Sequence, residues 1–257
     1  MERVKLPTQF PYSDATYLDL LRQCGGYYKA VIDPGTNLPI GPMVAYSGTY
    51  GIEGGKRQYV GYAYYNCAML EQHPAVARAF VRGLASIVLS RQLPEFQCVV
   101  GVPDGGLIVG QNTALVLEKH YAGLQKKVVE VGTPTTKEKT ELVFARHGID
   151  AGMRVVLCED LINNFSTTDK AIQVVEKAGG EVVGLIALIN RSWPARNDYN
   201  GLPAVVLLER PTPQFKQEDP EVVEHLKAVG FLPDVKPSWT VVAEAMAKAE
   251  ARGVKII

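Results

Sequence analysis

The 257-residue sequence lacks an excess of charge of either sign, because 27 Lys and Arg residues balance 27 Asp and Glu residues. A neutral chain has no overall field to attract nucleic acid or anionic lipid, so an anionic ligand has to be held by local geometry. The sequence also lacks an apolar run of the roughly 18 residues that span a bilayer. Its polar start, MERVKLPTQFPYSD, has no signal-peptide core. We therefore expect a cytoplasmic protein that contacts neither nucleic acid nor membrane.

Cysteines are few, and the common metal and nucleotide motifs are missing. Cys24, Cys67, Cys98 and Cys158 are widely scattered, and no pair has the spacing of metal ligands. We expect reduced, packed thiols and no metal site made by the protein alone. The absence of Walker and dinucleotide glycine patterns argues against a nucleotide-binding enzyme of those kinds.

Helical and strand-like apolar patterns alternate from Pro74 onward. Helices are predicted from Pro74 to about Gln92 and from the Gly-rich turn after Val102 to about His120. Buried strands are predicted at Cys98 to Val102, Lys127 to Val131, Arg154 to Cys158, Glu181 to Asn190 and Pro203 to Leu208. This alternation predicts an α/β fold, with a mostly parallel central sheet flanked by helices. Because such sheets bind ligands at the carboxyl ends of their strands, the turns after Val102 and Cys158 are the candidate sites.

Composition divides the chain into three predicted segments. The first segment is residues 1–72, and its density of Gly and Tyr before about Gly61 favours loops and hairpins over helices. Residues 73–209 carry the alternating pattern and form the predicted core. Residues 210–257 begin with prolines and include an amphipathic helix from Trp239 to Ala251, so we expect an extension packed on the core.

A strand, a polar turn and a helix follow one another from Arg154 onward. The strand ends in the adjacent carboxylates Glu159 and Asp160, and Ser166 and Asp169 have the spacing of a capping box at the start of the helix. The unpaired N–H groups of a helix start suit a phosphate monoester. Carboxylates beside a phosphate cradle repel the ligand unless they bind sugar hydroxyls or a divalent cation. The pattern therefore indicates a phosphorylated sugar with Mg²⁺, and the alternative is a solvated strand end that caps the helix.

The stretch VVLCEDLINNFSTT resembles the signature of the type I phosphoribosyltransferases. The resemblance implies that Glu159 and Asp160 bind the ribose hydroxyls of phosphoribosyl pyrophosphate. It implies that the following loop holds the 5-phosphate; its residues are Asn163, Asn164, Phe165, Ser166, Thr167 and Thr168. Where the family has Thr-Thr-Gly-Gly, this chain has Asn-Asn-Phe-Ser, and Phe165 is not expected to adopt the positive φ that glycine allows.

A second glycine-rich stretch, GVPDGG, resembles the family loop that contacts pyrophosphate through backbone amides. Its residues are Gly101, Val102, Pro103, Asp104, Gly105 and Gly106. Glycines let the backbone approach a diphosphate closely. The alternative for Gly105 and Gly106 is a plain tight turn.

A long polar segment from Gly132 to Thr140 resembles the mobile catalytic loop of the orotate enzymes, where basic residues close over the leaving pyrophosphate. The candidates are Lys137 and Lys139 as catalytic residues, with Arg146 and His147 as substrate ligands. Positive charge there would stabilise the negative charge that builds on the departing diphosphate. The alternative is solvated charge on a loop.

The stretch from Ser47 to Pro74 loosely resembles the N-terminal, base-binding hood of orotate phosphoribosyltransferases. Lys56 or Arg57 would pair with an orotate carboxylate, and Tyr59 or Tyr64 would stack on a base. The resemblance as a whole implies a homodimer that uses Mg²⁺, bound mainly through phosphoribosyl pyrophosphate. It implies transfer of the 5-phosphoribosyl group to a nucleobase, with orotate as the expected acceptor. The alternatives are a purine-base enzyme and a non-catalytic or regulatory protein of the same fold that binds a phosphoribosylated ligand.

Overall fold

The computed structural model describes residues 4–91, 93–131 and 138–256. Its helices are α1 (Asp14–Gln23), α2 (Pro74–Ser90), α3 (Gly106–Leu117), α4 (Ser166–Lys177), α5 (Pro220–Val229) and α6 (Trp239–Ala251), with a short 3₁₀ helix at Cys67–Gln72. Its strands are β1 (Tyr27–Lys29), β2 (Val31–Ile32), β3 (Pro39–Ile40), β4 (Met43–Ile52), β5 (Gly55–Gly61), β6 (Ala63–Tyr65), β7 (Cys98–Gly101), β8 (His120–Glu130), β9 (Lys139–Phe144), β10 (Arg154–Ile162), β11 (Glu181–Asn190), β12 (Asp198–Tyr199), β13 (Leu202–Glu209) and β14 (Phe231–Leu232). Within these residues, no helix is both long and apolar enough to cross a membrane.

The chain forms two compact units, one made of Met1–His73 with Thr212–Ile257 and the other of Pro74–Pro211. In the first unit, β4 and β5 form an antiparallel hairpin, and β14 adds to β4 in parallel. Helix α6 packs against this unit's core through Val242, Ala245, Met246 and Ala249. Before about Gly61 the sequence favoured loops and hairpins, and α1 is the exception. It forms because Ser13 caps its start and an apolar stripe is buried; the stripe comprises Tyr17, Leu18, Leu20 and Leu21.

The second unit is built on a seven-stranded sheet, in the order β12-β13-β11-β10-β7-β8-β9 across the described residues. The strands from β13 to β8 are parallel, while β12 and β9 pair antiparallel at the two edges. The predicted α/β fold is thus confirmed. The largest differences from the predicted strand bounds are that β8 begins at His120 and that β10 continues to Ile162. Helix α3 ends earlier than predicted because Glu118 adopts a left-handed φ of 53°.

Helices cover both faces of this sheet. Ala171 and Val175 of α4 share a buried cluster with Val100 and Leu157 of the central strands. On the other face, α3 lies so close that a Cβ at Gly110 would stand 3.3 Å from the Cβ of Cys158. Successive residues of a strand point to opposite faces, so α3 and α4 sandwich β10 between them.

The register of the parallel strands brings their carboxyl ends to one edge of the sheet. Cys158 pairs with Gly101, and Gly101 pairs with Gly123. The residues that follow Cys158 and Gly101 therefore meet, as expected for a ligand site in a sheet of this kind.

Candidate active site

The acidic pair lies within the C-terminal end of β10, because this strand runs on to Ile162 rather than stopping at Cys158. Glu159 and Asp160 are both half-buried. Burial, with the neighbouring charge of Asp160, raises the pKa of Glu159 to about 8, against a smaller lowering effect of Lys126. Burial thus favours the protonated form of Glu159. A neutral carboxyl beside a second carboxyl both donates and accepts hydrogen bonds, which suits the paired hydroxyls of a sugar.

The glycine-rich turn packs directly against this pair. A Cβ added to Gly105 would collide with the carboxylate of Asp160, and one added to Gly106 would collide with the backbone carbonyl oxygen of Cys158. The backbone N–H of Val102 also donates to that carbonyl, over 2.9 Å. Helix α3 begins at the end of the turn, and the Pro103–Asp104 peptide bond is cis. Only glycine allows the two segments to approach this closely.

A basic residue that was missed in the sequence completes this corner. The Nζ atom of Lys126 lies 2.6 Å from Oδ2 of Asp104, and its charge lowers the pKa of Glu159. Lys126 follows Gly123, the last residue of β8 in register with β7. The available signal was a lysine that follows closely after the residues of β8 that pair in parallel with β7. The corner thus carries a positive charge beside the turn expected to hold diphosphate.

The loop after the acidic pair starts α4 in an unexpected way. Phe165 is the N-cap residue with a φ of 60°, so the expectation that it avoids positive φ was wrong. Its ring is only 3% exposed and stacks on Tyr199, with centroids 4.8 Å apart and planes at 10°. A left-handed conformation costs about 1–2 kcal/mol. Burial of an aromatic ring contributes a comparable amount, which offsets the strain.

The predicted capping box between Ser166 and Asp169 is absent from the described structure. Phe165, at the N-cap, gives no side-chain cap. Instead the backbone N–H of Ser166 donates to Oδ1 of Asn164 over 3.2 Å. Helices have no internal acceptor for their first N–H groups, so those of Thr167 and Thr168 point toward the turn. This start of α4 keeps the geometry that suits a phosphate group.

A buried arginine that was not predicted from the sequence lies next to this loop. Arg191 follows β11 directly and is 6% exposed. Its Nε donates to Oδ1 of Asn163 over 3.2 Å, and its backbone N–H donates to the carbonyl of Ile162 over 2.9 Å. The available signal was its place directly after the predicted strand, at the same sheet edge as the acidic pair. The arrangement holds a guanidinium beside the candidate phosphate loop.

The basic candidates between β8 and Asp150 lie in different places. Lys137 lies outside the described residues. Lys139 is exposed and pairs with Glu130 across β8 and β9, over 2.9 Å. Arg146 is exposed. His147 lies at the sheet edge near the turn, because its Nδ1 accepts a hydrogen bond from the N–H of Gly123 over 3.2 Å.

The remaining candidates belong to the first unit. Lys56 is exposed in β5, opposite Gly51 of β4. The Arg57 guanidinium lies 3.8 Å from the Glu218 carboxylate. Tyr59 packs on Tyr50 with centroids 4.9 Å apart, and Tyr64 packs on Trp239 at 6.5 Å.

Comparison with known proteins defines the class to which this fold and site belong. The family model described as "Phosphoribosyl transferase domain" matches residues 66–218, a range that contains the whole of the second unit. The chain therefore belongs to the type I phosphoribosyltransferase family, as the resemblance predicted.

The chain is similar to orotate phosphoribosyltransferases and also to adenine phosphoribosyltransferases. The orotate phosphoribosyltransferase of Rhizorhabdus wittichii is 28% identical over 179 residues, covering 68% of this chain and 80% of that protein. The adenine phosphoribosyltransferase of Caldicellulosiruptor bescii is 32% identical over 121 residues, covering 45% and 69%. The matched part spans 63% of another adenine phosphoribosyltransferase, from Ruminiclostridium cellulolyticum, at 29% identity over 39% of this chain. The structure of Leishmania donovani UMP synthase superposes with a TM-score of 0.53 at 16% identity, over 93% of this chain and 43% of that one, which supports the fold.

Proposed function

We propose that the protein transfers the 5-phosphoribosyl group from phosphoribosyl pyrophosphate to a nucleobase, with orotate as the acceptor. In this step a base nitrogen forms a bond to C1 of the ribose as the bond from C1 to the diphosphate oxygen breaks. The electron pair of the broken bond leaves with the diphosphate, and the base nitrogen loses its proton.

The observation that carries the proposal is the packing of Asp160 against Gly105. It joins the candidate hydroxyl site to the turn expected to hold diphosphate. The start of α4 follows the acidic pair by a few residues, so the candidate 5-phosphate site adjoins both. A ribose with a phosphate at one end and a diphosphate at the other requires these three sites side by side.

The charges in the site fit the charge that develops during transfer. The ribose becomes cation-like as the diphosphate leaves, and the role we assign to the Asp160 carboxylate is to stabilise that positive charge. Lys126, beside Asp104, supplies positive charge where negative charge builds on the diphosphate. Burial favours the protonated form of Glu159, which adds a hydrogen-bond donor without adding repulsion.

The site also fits the magnesium ion expected with phosphoribosyl pyrophosphate. Among the described residues, no cluster of three His, Cys, Asp or Glu side chains forms a metal cage. Magnesium keeps several waters and takes substrate phosphates plus one or two carboxylates, and Asp104 and Asp160 are oxygen donors of this kind. When bound, the ion neutralises charge on the diphosphate, while the residues of this chain orient the ribose.

Orotate is preferred as the acceptor because the orotate relative matches more of this chain than the adenine relatives described above. The nearly buried guanidinium of Arg191 lies beside the candidate 5-phosphate loop, so we assign it to the phosphate end of the ribose and not to the acceptor base. The second candidate, adenine, is supported by the higher identity of the C. bescii protein.

The non-catalytic alternative has one observation in its favour. Phe165 stands where the family has glycine, and it narrows the conformational freedom of the loop. The proposal that this loop still binds 5-phosphate rests on the open helix start that remains at Thr167 and Thr168.

The test measures transfer of labelled phosphoribosyl to orotate, uracil, adenine, hypoxanthine and xanthine with Mg²⁺ present. We expect one labelled nucleotide, from orotate, and loss of most activity in Glu159→Ala and Asp160→Asn variants. Glu141→Gln, an exposed carboxyl in β9, is the matched control. Product from adenine alone would move the assignment to the second candidate. Thermal stabilisation by phosphoribosyl pyrophosphate without product from any base would establish the non-catalytic alternative. The homodimer implied by the resemblance is tested separately by sedimentation.

A further inference from the structure

A short hairpin at one edge of the sheet brings a tyrosine onto the candidate phosphate loop. Strands β12 and β13 are joined by Asn200 and Gly201, with φ values of 53° and 81°. Positive φ at both central residues is the geometry of a tight two-residue hairpin turn. Tyr199 pairs with Leu202 across this turn, and β13 continues as a parallel strand of the central sheet. The position of Tyr199 is therefore fixed to the sheet.

Tyr199 contacts the start of α4 at two points. Its ring stacks on Phe165, with centroids 4.8 Å apart. Its hydroxyl also interacts with the side chain of Asp169, in the first turn of α4, and this interaction raises the pKa of Tyr199. The two contacts lie on either side of the N–H groups of Thr167 and Thr168.

These contacts offset two unfavourable features of the loop in this chain, one at Phe165 and one at Asp169. Phe165 adopts a conformation that glycine adopts without cost, so some other contact has to hold it there. Asp169 places negative charge in the first helical turn, where it competes with a bound phosphate for the helix N-terminus. The interaction with the Tyr199 hydroxyl engages part of the hydrogen-bonding capacity of the Asp169 carboxylate.

We propose that Tyr199 is a positioning residue for the 5-phosphate loop, taking over the part that loop glycines play in the family pattern. The inference rests on the proposed function, since it assumes that the loop holds the 5-phosphate. Tyr199 touches no reacting atom. It acts through Phe165 and Asp169, which set the orientation of the N–H groups between them.

The first experiment compares Tyr199→Ala and Tyr199→Phe in steady-state transfer with phosphoribosyl pyrophosphate varied. We expect Tyr199→Ala to raise KM for this substrate about tenfold with kcat changed less than about twofold, because one stacked pair is lost. Tyr199→Phe keeps the stack and loses the hydroxyl, so its KM rises roughly twofold to threefold. Phe144→Ala, which truncates a partly buried aromatic side chain packed on the same core, controls for general destabilisation. A KM for Tyr199→Ala equal to that of Phe144→Ala overturns the proposal.

A second variant tests the coupling to Phe165. Phe165→Gly restores the residue type of the family pattern, and the loop then no longer depends on the stack. We expect Phe165→Gly with Tyr199→Ala to bind ribose 5-phosphate about fivefold more tightly than Tyr199→Ala alone. Equal or weaker binding by the double variant contradicts the coupling.

Amide hydrogen exchange separates failure of this inference from failure of the proposed function. Tyr199→Ala is expected to speed exchange at Thr167 and Thr168 at least about tenfold relative to Phe144→Ala, with or without ligand. Unchanged exchange overturns the positioning role even if the enzyme is active. If the wild-type protein binds neither phosphoribosyl pyrophosphate nor ribose 5-phosphate, the proposed function fails, and the assignment of this loop to phosphate falls with it.

Discussion

The carboxylate of Asp160 occupies the space in which a side chain at Gly105 would otherwise lie. Two segments more than fifty residues apart in the sequence thus form one continuous surface. Asp160 comes from the strand expected to bind ribose hydroxyls, and Gly105 from the turn expected to bind diphosphate. The predicted transfer site depends on this contact.

Gly105→Ala should disrupt that contact. The new methyl group has to displace either the Asp160 carboxylate or the turn, at a cost of about 1–3 kcal/mol. We expect transfer to fall at least roughly tenfold, with weaker binding of phosphoribosyl pyrophosphate measured by calorimetry. Gly51→Ala is the control, since a Cβ there meets nothing within 4 Å. An unchanged rate in Gly105→Ala would show that the contact has no part in function.

Glu159 should make stability depend on pH. Its pKa rises from 4.5 to about 8 on folding, so the folded state binds the proton more tightly than the unfolded state. The resulting stabilisation is complete below pH 4.5 and is lost as the pH rises toward 8. Relative to Glu159→Gln, the unfolding free energy of the wild type should fall by about 1.4 kcal/mol per pH unit in that window. If the unfolding free energies of the two proteins depend on pH in the same way, the raised pKa of Glu159 is refuted.

Lys126→Gln should weaken binding of phosphoribosyl pyrophosphate by about tenfold, because a charge beside the diphosphate turn is lost. The Lys126 charge also lowers the pKa of Glu159, so this pKa should be higher in the variant. The change of activity that follows deprotonation of Glu159 should then occur at a higher pH than in the wild type. Lys127→Gln, one residue along β8 and exposed, is the matched control. Equal effects of the two substitutions would place Lys126 outside the site.

His225 should destabilise the first unit in mild acid. Its ring is 5% exposed, and its Nε2 lies 2.9 Å from the carbonyl oxygen of Gly41. Burial lowers its pKa below the ordinary 6.5. The neutral ring therefore contributes stability above pH 6.5 that is lost as the pH falls through and below that value. Thermal melts from pH 7.5 to 5 should show a smaller acid loss in His225→Phe than in the wild type, with exposed His120→Phe as the control.

All four cysteines should resist a thiol reagent in the native protein. Each is free and buried, and burial raises the pKa of the thiols of Cys24 and Cys98 to about 11. Thiolate, the reactive form, is scarce at neutral pH. Titration with a disulfide reagent should detect no fast-reacting thiol before denaturation and four afterwards. A rapidly modified native thiol would contradict this packing.

Sequence patterns predicted the parts of the molecule that rest on local regularity. Glu181 to Asn190 and Trp239 to Ala251 have the predicted bounds because their apolar periodicity is uninterrupted. The course of β10 past Cys158 was not predicted, because two carboxylates rarely continue a buried strand. The left-handed Phe165 was missed for a similar reason: the partner that offsets its strain, Tyr199, lies more than thirty residues away in the sequence. Lys126 and Arg191 lacked a local motif, and only the sheet register brings them to the site.

The most direct test of the central claim is calorimetric titration of phosphoribosyl pyrophosphate with Mg²⁺ into the wild type and into Asp160→Asn. We expect saturable binding at one site per chain in the wild type and at least roughly tenfold weaker binding in the variant. Glu141→Gln should bind like the wild type. Binding of equal strength in Asp160→Asn, or none in the wild type, would contradict the claim that the edge formed by Asp160 and Gly105 is a phosphoribosyl site.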